Sequence, residues 1–315
     1  MSKAESQADV NQGPAPEPTR LPARGLLLLV LLTLIWGSNW PFAKVAVEEM
    51  PVIVMRGYSG TAGGALVLVL AVLAGQSLRL NATEWRWIFP TAFFNATLWL
   101  YMSGLSVSYI SAGHTAVAAY TMPLWLFLIS TVFLRETPSL GKWIGLLLGM
   151  GAIAVLFFRN LELAVGDWRG VAAMLVAACS WAVGTVLMKR VPWRAPTLVL
   201  VGWQFFLGGI PLTVLAVPAF MSMEPASVLA WSGATYSAFM GVSAAYWLWF
   251  KIVDMVPAWV ASISVLAVPA VSLVIGAVVL GEPLGWLEIL ALLLIVGGVS
   301  TVLPRPRNDK AVSSR

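Results

Sequence analysis

The 315 residues are 59% apolar and only 10% charged, with a mean hydropathy of +0.86, so they carry too little polar surface to coat a water-soluble globule of this size. The formal charge of +5 does not call for nucleic acid, because the basic residues fall where membrane topology puts them. The lone Cys179 excludes a disulfide framework within the chain and any cysteine-based metal cluster.

Residues 1–24 are polar and proline-rich, with Gly13-Pro14-Ala15-Pro16-Glu17-Pro18 and no helical period, which predicts a disordered cytoplasmic tail. The apolar run that follows is too long and too aromatic for a signal-peptide core, so it is expected to stay in the mature protein. From there, apolar segments of about 20 residues, the length that crosses hydrocarbon as a helix, recur near 25–45, 51–74, 85–106, 110–134, 139–158, 168–188, 196–218, 227–250, 257–280 and 284–303. Turn signals such as Glu48-Glu49-Met50-Pro51, Asn81-Ala82-Thr83-Glu84 and Val191-Pro192-Trp193-Arg194 separate most of them; the boundary at 106–110 is the least marked.

The ten segments are two copies of five. Residues 112–155 shifted by 146 fall on 258–301, with Pro123 on Pro269, Glu136 on Glu282 and Gly151 on Gly297, while Trp36 and Lys44 return after 145 residues as Trp181 and Lys189. The first repeat spans 25–158, the second 168–303, and 304–315 form a second cytoplasmic tail. Lys and Arg are retained on the cytoplasmic side. With ten spans, one face collects fifteen of the nineteen basic residues and leaves Lys44, Arg56, Arg159 and Arg169 opposite, so both termini are predicted to be cytoplasmic. Because five is odd, the copies must lie upside down relative to each other. The expected fold is therefore an all-α integral membrane protein of ten transmembrane helices in two inverted five-helix repeats. Halves related in this way can share one site that opens to either side in turn, which makes alternating-access transport the leading function.

The details support a resemblance. Trp36-Gly37-Ser38-Asn39 followed by Lys44 and Arg56, Pro123 with Leu134-Arg135-Glu136, then Gly145, Gly149 and Gly151, and in the second copy Pro269 with Leu280-Gly281-Glu282-Pro283 and Gly297-Gly298, together resemble the EamA-type branch of the drug/metabolite transporter superfamily. The resemblance covers about residues 25–303. It implies a central cavity lined mainly by spans 1, 3, 4, 6, 8 and 9 and export of small metabolites such as amino acids or of toxic compounds, from a bacterial plasma membrane, without naming the cargo.

Trp36, Asn39, Asn95, Trp99, Tyr101, His114, Tyr120, Trp181, Thr185, Tyr246 and Trp247 are the cavity candidates, and an aromatic lining suits an amphipathic or aromatic solute better than a phosphate or sugar. Asn39 and Asn95 are the most polar side chains near mid-span, fit to bind cargo or to bridge two helices. Lys44 and Lys189 end spans 1 and 6; each either gates by pairing across the halves, with Glu282 and Glu136 respectively, or snorkels to headgroups. For both glutamates the default role is to cap the helix that follows. Pro41, Pro123 and Pro269 lie within predicted spans, where they free carbonyls that lipid cannot satisfy, and so are candidate hinges. The glycine runs read as helix packing.

No phosphate-cradling loop is present, so no ATP hydrolysis, cofactor or metal is expected. No carboxylate sits at mid-span, and His114 is the only histidine. The partners expected are a small-molecule solute and the bilayer, with no nucleic acid; oligomeric state is not legible. The rival class is an intramembrane serine protease. Gly57-Tyr58-Ser59-Gly60 resembles the rhomboid nucleophile motif and His114 would be the base, but catalysis leaves the second repeat unexplained.

Overall fold

The computed structural model describes residues 23–122, 124–126, 128–129, 140–163, 168–253 and 267–302, and every regular element among them is helical. Span 1 is Ala23–Glu49 and span 2 Val52–Leu73. Span 3 runs from Ala82–Ala92 through a π-helical segment, Phe93–Leu98, into Trp99–Tyr109. Span 4 opens with Ala112–Ala119, span 5 is Leu140–Leu163, span 6 Trp168–Arg190 and span 7 Thr197–Ser222. Span 8 runs from Val228–Tyr236 through a second π segment, Ser237–Ala244, into Ala245–Val253. Span 9 is described over Val268–Leu280 and span 10 over Trp286–Val302.

The continuity of the helices follows the repeat. Spans 1, 2, 6 and 7 are the four unbroken helices long and apolar enough to cross a bilayer among the described residues. Spans 3 and 8, equivalent to each other, carry the π segments, where one turn holds an extra residue and loosens the backbone ladder. Span 4 breaks at Tyr120 and Thr121. Its helix stops at Ala119, four residues before Pro123, whose ring would collide with that carbonyl. Thr121 Oγ1 donates to the Ala118 carbonyl at 2.8 Å and satisfies an acceptor that lipid could not. Pro123 itself lies outside the described residues. Pro269, equivalent to Pro123, stands in the first turn of the described helix of span 9.

Caps set the other ends. Asn81 and Glu84 close a reciprocal capping box at the start of span 3, and Ser227 accepts from Ala230 N–H at the start of span 8. The faint boundary near 106–110 resolves later than predicted, because Ser111 accepts from His114 N–H at 3.1 Å and starts span 4 there. Gly281, at φ 66°, takes the left-handed turn that ends span 9.

Neighbour relations survive exchange of the repeats. Span 2 packs on 7, span 4 on 9 and span 5 on 10; span 1 packs on 8 and 9, and its equivalent, span 6, packs on 3 and 4. That pattern is a pseudo-twofold. The ends are inverted too: Lys44 and Glu49 at the end of span 1 lie beside the starts of spans 4 and 8, whereas span 6 ends beside the start of span 3. These two faces are called the Lys44 end and the Lys189 end below. Lipid gives helices no hydrophobic reason to associate, so close approach does the work. Spans 2 and 7 meet through Gly60 and Gly209, and Gly298 of span 10 lies so close to span 5 that an added Cβ would stand 2.8 Å from the Gly145 carbonyl. Leu73, Leu147, Val214, Leu215 and Val278 remain largely exposed on the flanks, a surface that only lipid covers without penalty. The protein is an integral membrane protein.

Candidate functional site

The first helix of each repeat crosses the π segment of the other repeat's third helix, and the predicted residues gather at these two crossings. At one, Asn39 of span 1 packs its side-chain oxygen onto Gly241 of span 8. At the other, Asn95 of span 3 packs onto Gly184 of span 6. Gly184 is the counterpart of Asn39 and Gly241 of Asn95, so the asparagine has changed sides between the copies while the asparagine–glycine contact persists. Both Oδ1 atoms are buried without a hydrogen-bond partner, a costly condition for an amide in a membrane interior. Asn95 Nδ2 donates to Gln204 Oε1 at 2.8 Å, tying span 3 to span 7. Each π segment is also held by the crossing helix: Trp36 Nε1 donates to the Gly241 carbonyl at 3.2 Å, and Ser180 Oγ to the Phe94 carbonyl at 2.6 Å.

Aromatic rings surround the first crossing. Trp36 meets Tyr246 at 5.8 Å and Trp249 at 5.9 Å, and Tyr246 continues to Phe205 at 5.0 Å. Trp40 meets Trp99 edge-on at 6.5 Å, and Tyr58 meets Trp231 at 5.6 Å. Tyr101 packs on the apolar cluster of spans 2 and 7, and Tyr120 is buried beside the break in span 4. Trp181 is half-buried, and Thr185 donates to its carbonyl within the same helix. Trp247 is exposed and makes no ring contact among the described residues. Pro41 is buried within span 1.

The gate candidates meet on a turn rather than on each other. Lys44 Nζ donates to the Ile110 carbonyl at 3.3 Å, while Glu282 accepts from the amides of Ala112 at 2.6 Å and Gly113 at 3.2 Å. Glu282 therefore caps span 4 of the opposite repeat, not the helix that follows it in sequence; its carboxylate meets the positive end of span 4. Lys189 is exposed, and Glu136 lies outside the described residues. Two further clasps join the repeats. At the Lys44 end Glu49 accepts from Ser227 N–H at 2.6 Å and from its hydroxyl at 2.7 Å. At the Lys189 end Glu84 accepts from the amides of Arg194 at 2.6 Å and Ala195 at 2.8 Å. Burial opposes ionisation of Glu84, but the amides of Asn81, Ala195 and Arg194 and the charge of Arg194 outweigh it and hold the carboxyl below its ordinary value. A shallow cleft of about 400 Å³ opens beside this clasp, lined by Ser77, Arg79, Leu80, Asn81, Glu84, Arg194, Ala195 and Pro196.

His114 is buried, and its Nε2 shares a 3.1 Å hydrogen bond with Glu288 Oε1, linking span 4 to span 10; Glu288 Oε2 also accepts from Gly285 N–H at 2.8 Å. Sequence reasoning counted Glu288 among the carboxylates at span ends and missed the pair. Glu49, Glu84 and Gln204 were missed as well. The spacing of Asn81 and Glu84 was a legible capping-box signal, whereas the partners in the other repeat had none.

The protease reading fails. The Ser59 hydroxyl is fully buried and donates to the carbonyl of Arg56 in its own helix, at 3.4 Å, while His114 faces Glu288; no hydrogen bond joins the two, so no base is placed to activate the serine.

Comparison with known proteins agrees with this architecture. The profile of the EamA-like transporter family matches twice, at residues 23–158 and 168–303. The chain is 29% identical to the uncharacterized transporter YvbV of Bacillus subtilis (strain 168), over 92% of this chain and 95% of that protein. It is 25% identical to a probable amino-acid metabolite efflux pump of Salmonella typhimurium, over 86% and 92%, and 26% identical to the uncharacterized inner membrane transporter YedA of Escherichia coli (strain K12), over 87% and 89%. One solved crystal structure superimposes with a TM-score of 0.63 at 20% identity, covering 88% of this chain and 96% of that one, a likeness of fold.

Proposed function

The chain belongs to the EamA-like transporter family, and from that premise we propose that it carries a small organic metabolite, an amino acid or an amphipathic aromatic compound, out of the cell by alternating access between its two repeats. It is a transporter and not an enzyme. The observation that carries the mechanism is the mirrored set of clasps, Glu282 and Glu49 reaching across the repeats at one end and Glu84 at the other. A carrier must hold one end shut while the other opens, and two states of similar energy follow when each end has its own few hydrogen bonds to make and break. Lys44 and Glu282, acting on opposite sides of the Ile110–Gly113 turn, would latch one gate. The break in span 4 and the two π segments are the points at which the helices would bend.

The proposed binding group is Trp36, Asn39, Asn95, Trp181 and Tyr246. Rings and two amide oxygens in want of a donor suit a solute with an apolar body and an N–H group. The printed name of the Salmonella relative supports an amino-acid metabolite as cargo, and that of the Escherichia relative a bacterial inner membrane. The Lys44 end, poor in basic residues, would face outward. Counterflow of labelled amino acids and aromatic amines into proteoliposomes tests this. Saturable counterflow that falls in Asn95→Ala is expected; flux that rises linearly with concentration for every solute, as through a pore, would overturn the carrier mechanism.

A further inference from the structure

Arg56 of span 2 is a buried cation with no counter-ion among the described residues. It keeps 4% of its surface, and its Nε and Nη2 have no hydrogen-bond partner. A guanidinium stays protonated at any physiological pH, so the charge cannot be shed by titration. Burying it unpaired is among the most destabilising things a fold can do. Span 3 is nevertheless cut away to admit it: at Gly104 an added Cβ would stand 2.8 Å from Arg56 Cγ and 2.9 Å from its Nε. Of the carboxylates that the described residues bring to this end, Glu49 is engaged with Ser227, Glu282 with the amides of Ala112 and Gly113, and Glu288 with His114, while Glu48 and Glu224 lie exposed at the surface. A buried cation left without its partner points to a partner that arrives from outside.

We infer that Arg56 receives the carboxylate of the transported solute, so that the cargo class is a small carboxylic acid, amino acids included, and not an amine or a neutral compound. The inference rests on the carrier reading and narrows it. A planar guanidinium takes a carboxylate through two parallel N–H···O bonds, and the two orphaned donors are on adjacent nitrogens of one fork. Desolvated beneath span 3, such a pair discriminates strongly against an amide or ester of the same size, which leaves the charge unmet.

The test uses the full-length protein in nanodiscs of phosphatidylcholine alone, so that no anionic lipid can substitute for cargo. Thermal unfolding and calorimetric titration are read with leucine, phenylalanine, butyrate and phenylacetate against leucinamide, phenylalaninamide, butyramide and phenylacetamide. The expected result is that at least one acid binds and its amide does not, that Arg56→Met weakens the acid by at least about tenfold, and that ligand-free Arg56→Met melts higher than the wild type because a stranded charge has gone. Arg56→Lys should retain weakened acid binding. The inference is overturned if no acid binds, if amides bind as well as acids, if Arg56→Met leaves acid binding unchanged, or if the ligand-free variant melts lower. An added arm with phosphatidylglycerol separates a lipid headgroup from cargo: stabilisation by that lipid, lost in Arg56→Met, with no response to any acid, would assign the site to lipid. Counterflow by solutes indifferent to their carboxylate would sink this inference and leave the carrier standing; acids that bind but never cross would do the reverse.

Discussion

Gly184 and Asn95 offer the sharpest test of the crossing. A Cβ at residue 184 would overlap Asn95 Oδ1 and Cγ, and the three atoms nearest to it all belong to that one side chain. Overpacking a tight contact costs about 1–3 kcal/mol, so Gly184→Ala should destabilise by that amount. Asn95→Ala strands Gln204 Oε1, which now accepts from Asn95 at 2.8 Å, and a buried acceptor left unpaired costs about 1–3 kcal/mol. In the double variant the alanine at 184 faces only a methyl group and its own penalty disappears. The coupling energy of the cycle should therefore be about 1–3 kcal/mol in the stabilising direction. Denaturant-induced unfolding in one detergent, followed by tryptophan fluorescence on all four proteins, measures it. Strict additivity would show that the two residues do not touch and would refute this account of the seam.

Glu282→Gln should keep at most one of the two carboxylate bonds to span 4; losing about 1.4 kcal/mol there corresponds to about tenfold faster hydrogen exchange at the 112–115 amides, with exchange at the Glu84 clasp unchanged. Glu84 links stability to acid: its carboxyl lies below the ordinary value in the folded protein, so its contribution is complete above the unfolded value of about 4.3 and is lost as pH falls through the depressed one. Melting profiles of Glu84→Gln should be lower than the wild type at neutral pH and converge with it in acid; parallel profiles would contradict the assignment. Ser59→Ala removes a long hydrogen bond inside one helix and should leave transport intact and stability within about 1 kcal/mol, whereas a loss of all activity would reopen the nucleophile reading.

What the sequence alone determined is whatever depends on local composition and on repetition. Runs of apolar residues as long as a bilayer is thick have only one backbone solution, so the spans were legible, and an odd repeat forces inversion whatever its side chains do. Pro123 was legible as a candidate hinge, and the described helix of span 4 breaks just before it, at Tyr120 and Thr121. Tertiary structure decided which groups meet. Glu282 looked like the cap of its own next helix, yet the pseudo-twofold brings it to the start of span 4 in the other repeat, 170 residues away. Asn39 and Asn95 were legible as polar residues at mid-span, but nothing local could say that each lies against a glycine at equivalent crossings, since that needs the two copies folded around each other. His114 and Glu288 each looked like an isolated polar group near a helix start, and only the approach of span 10 to span 4 makes them a pair. Periodicity reports the faces of one helix; the choice of partner is a property of the pair, fixed when the helices pack.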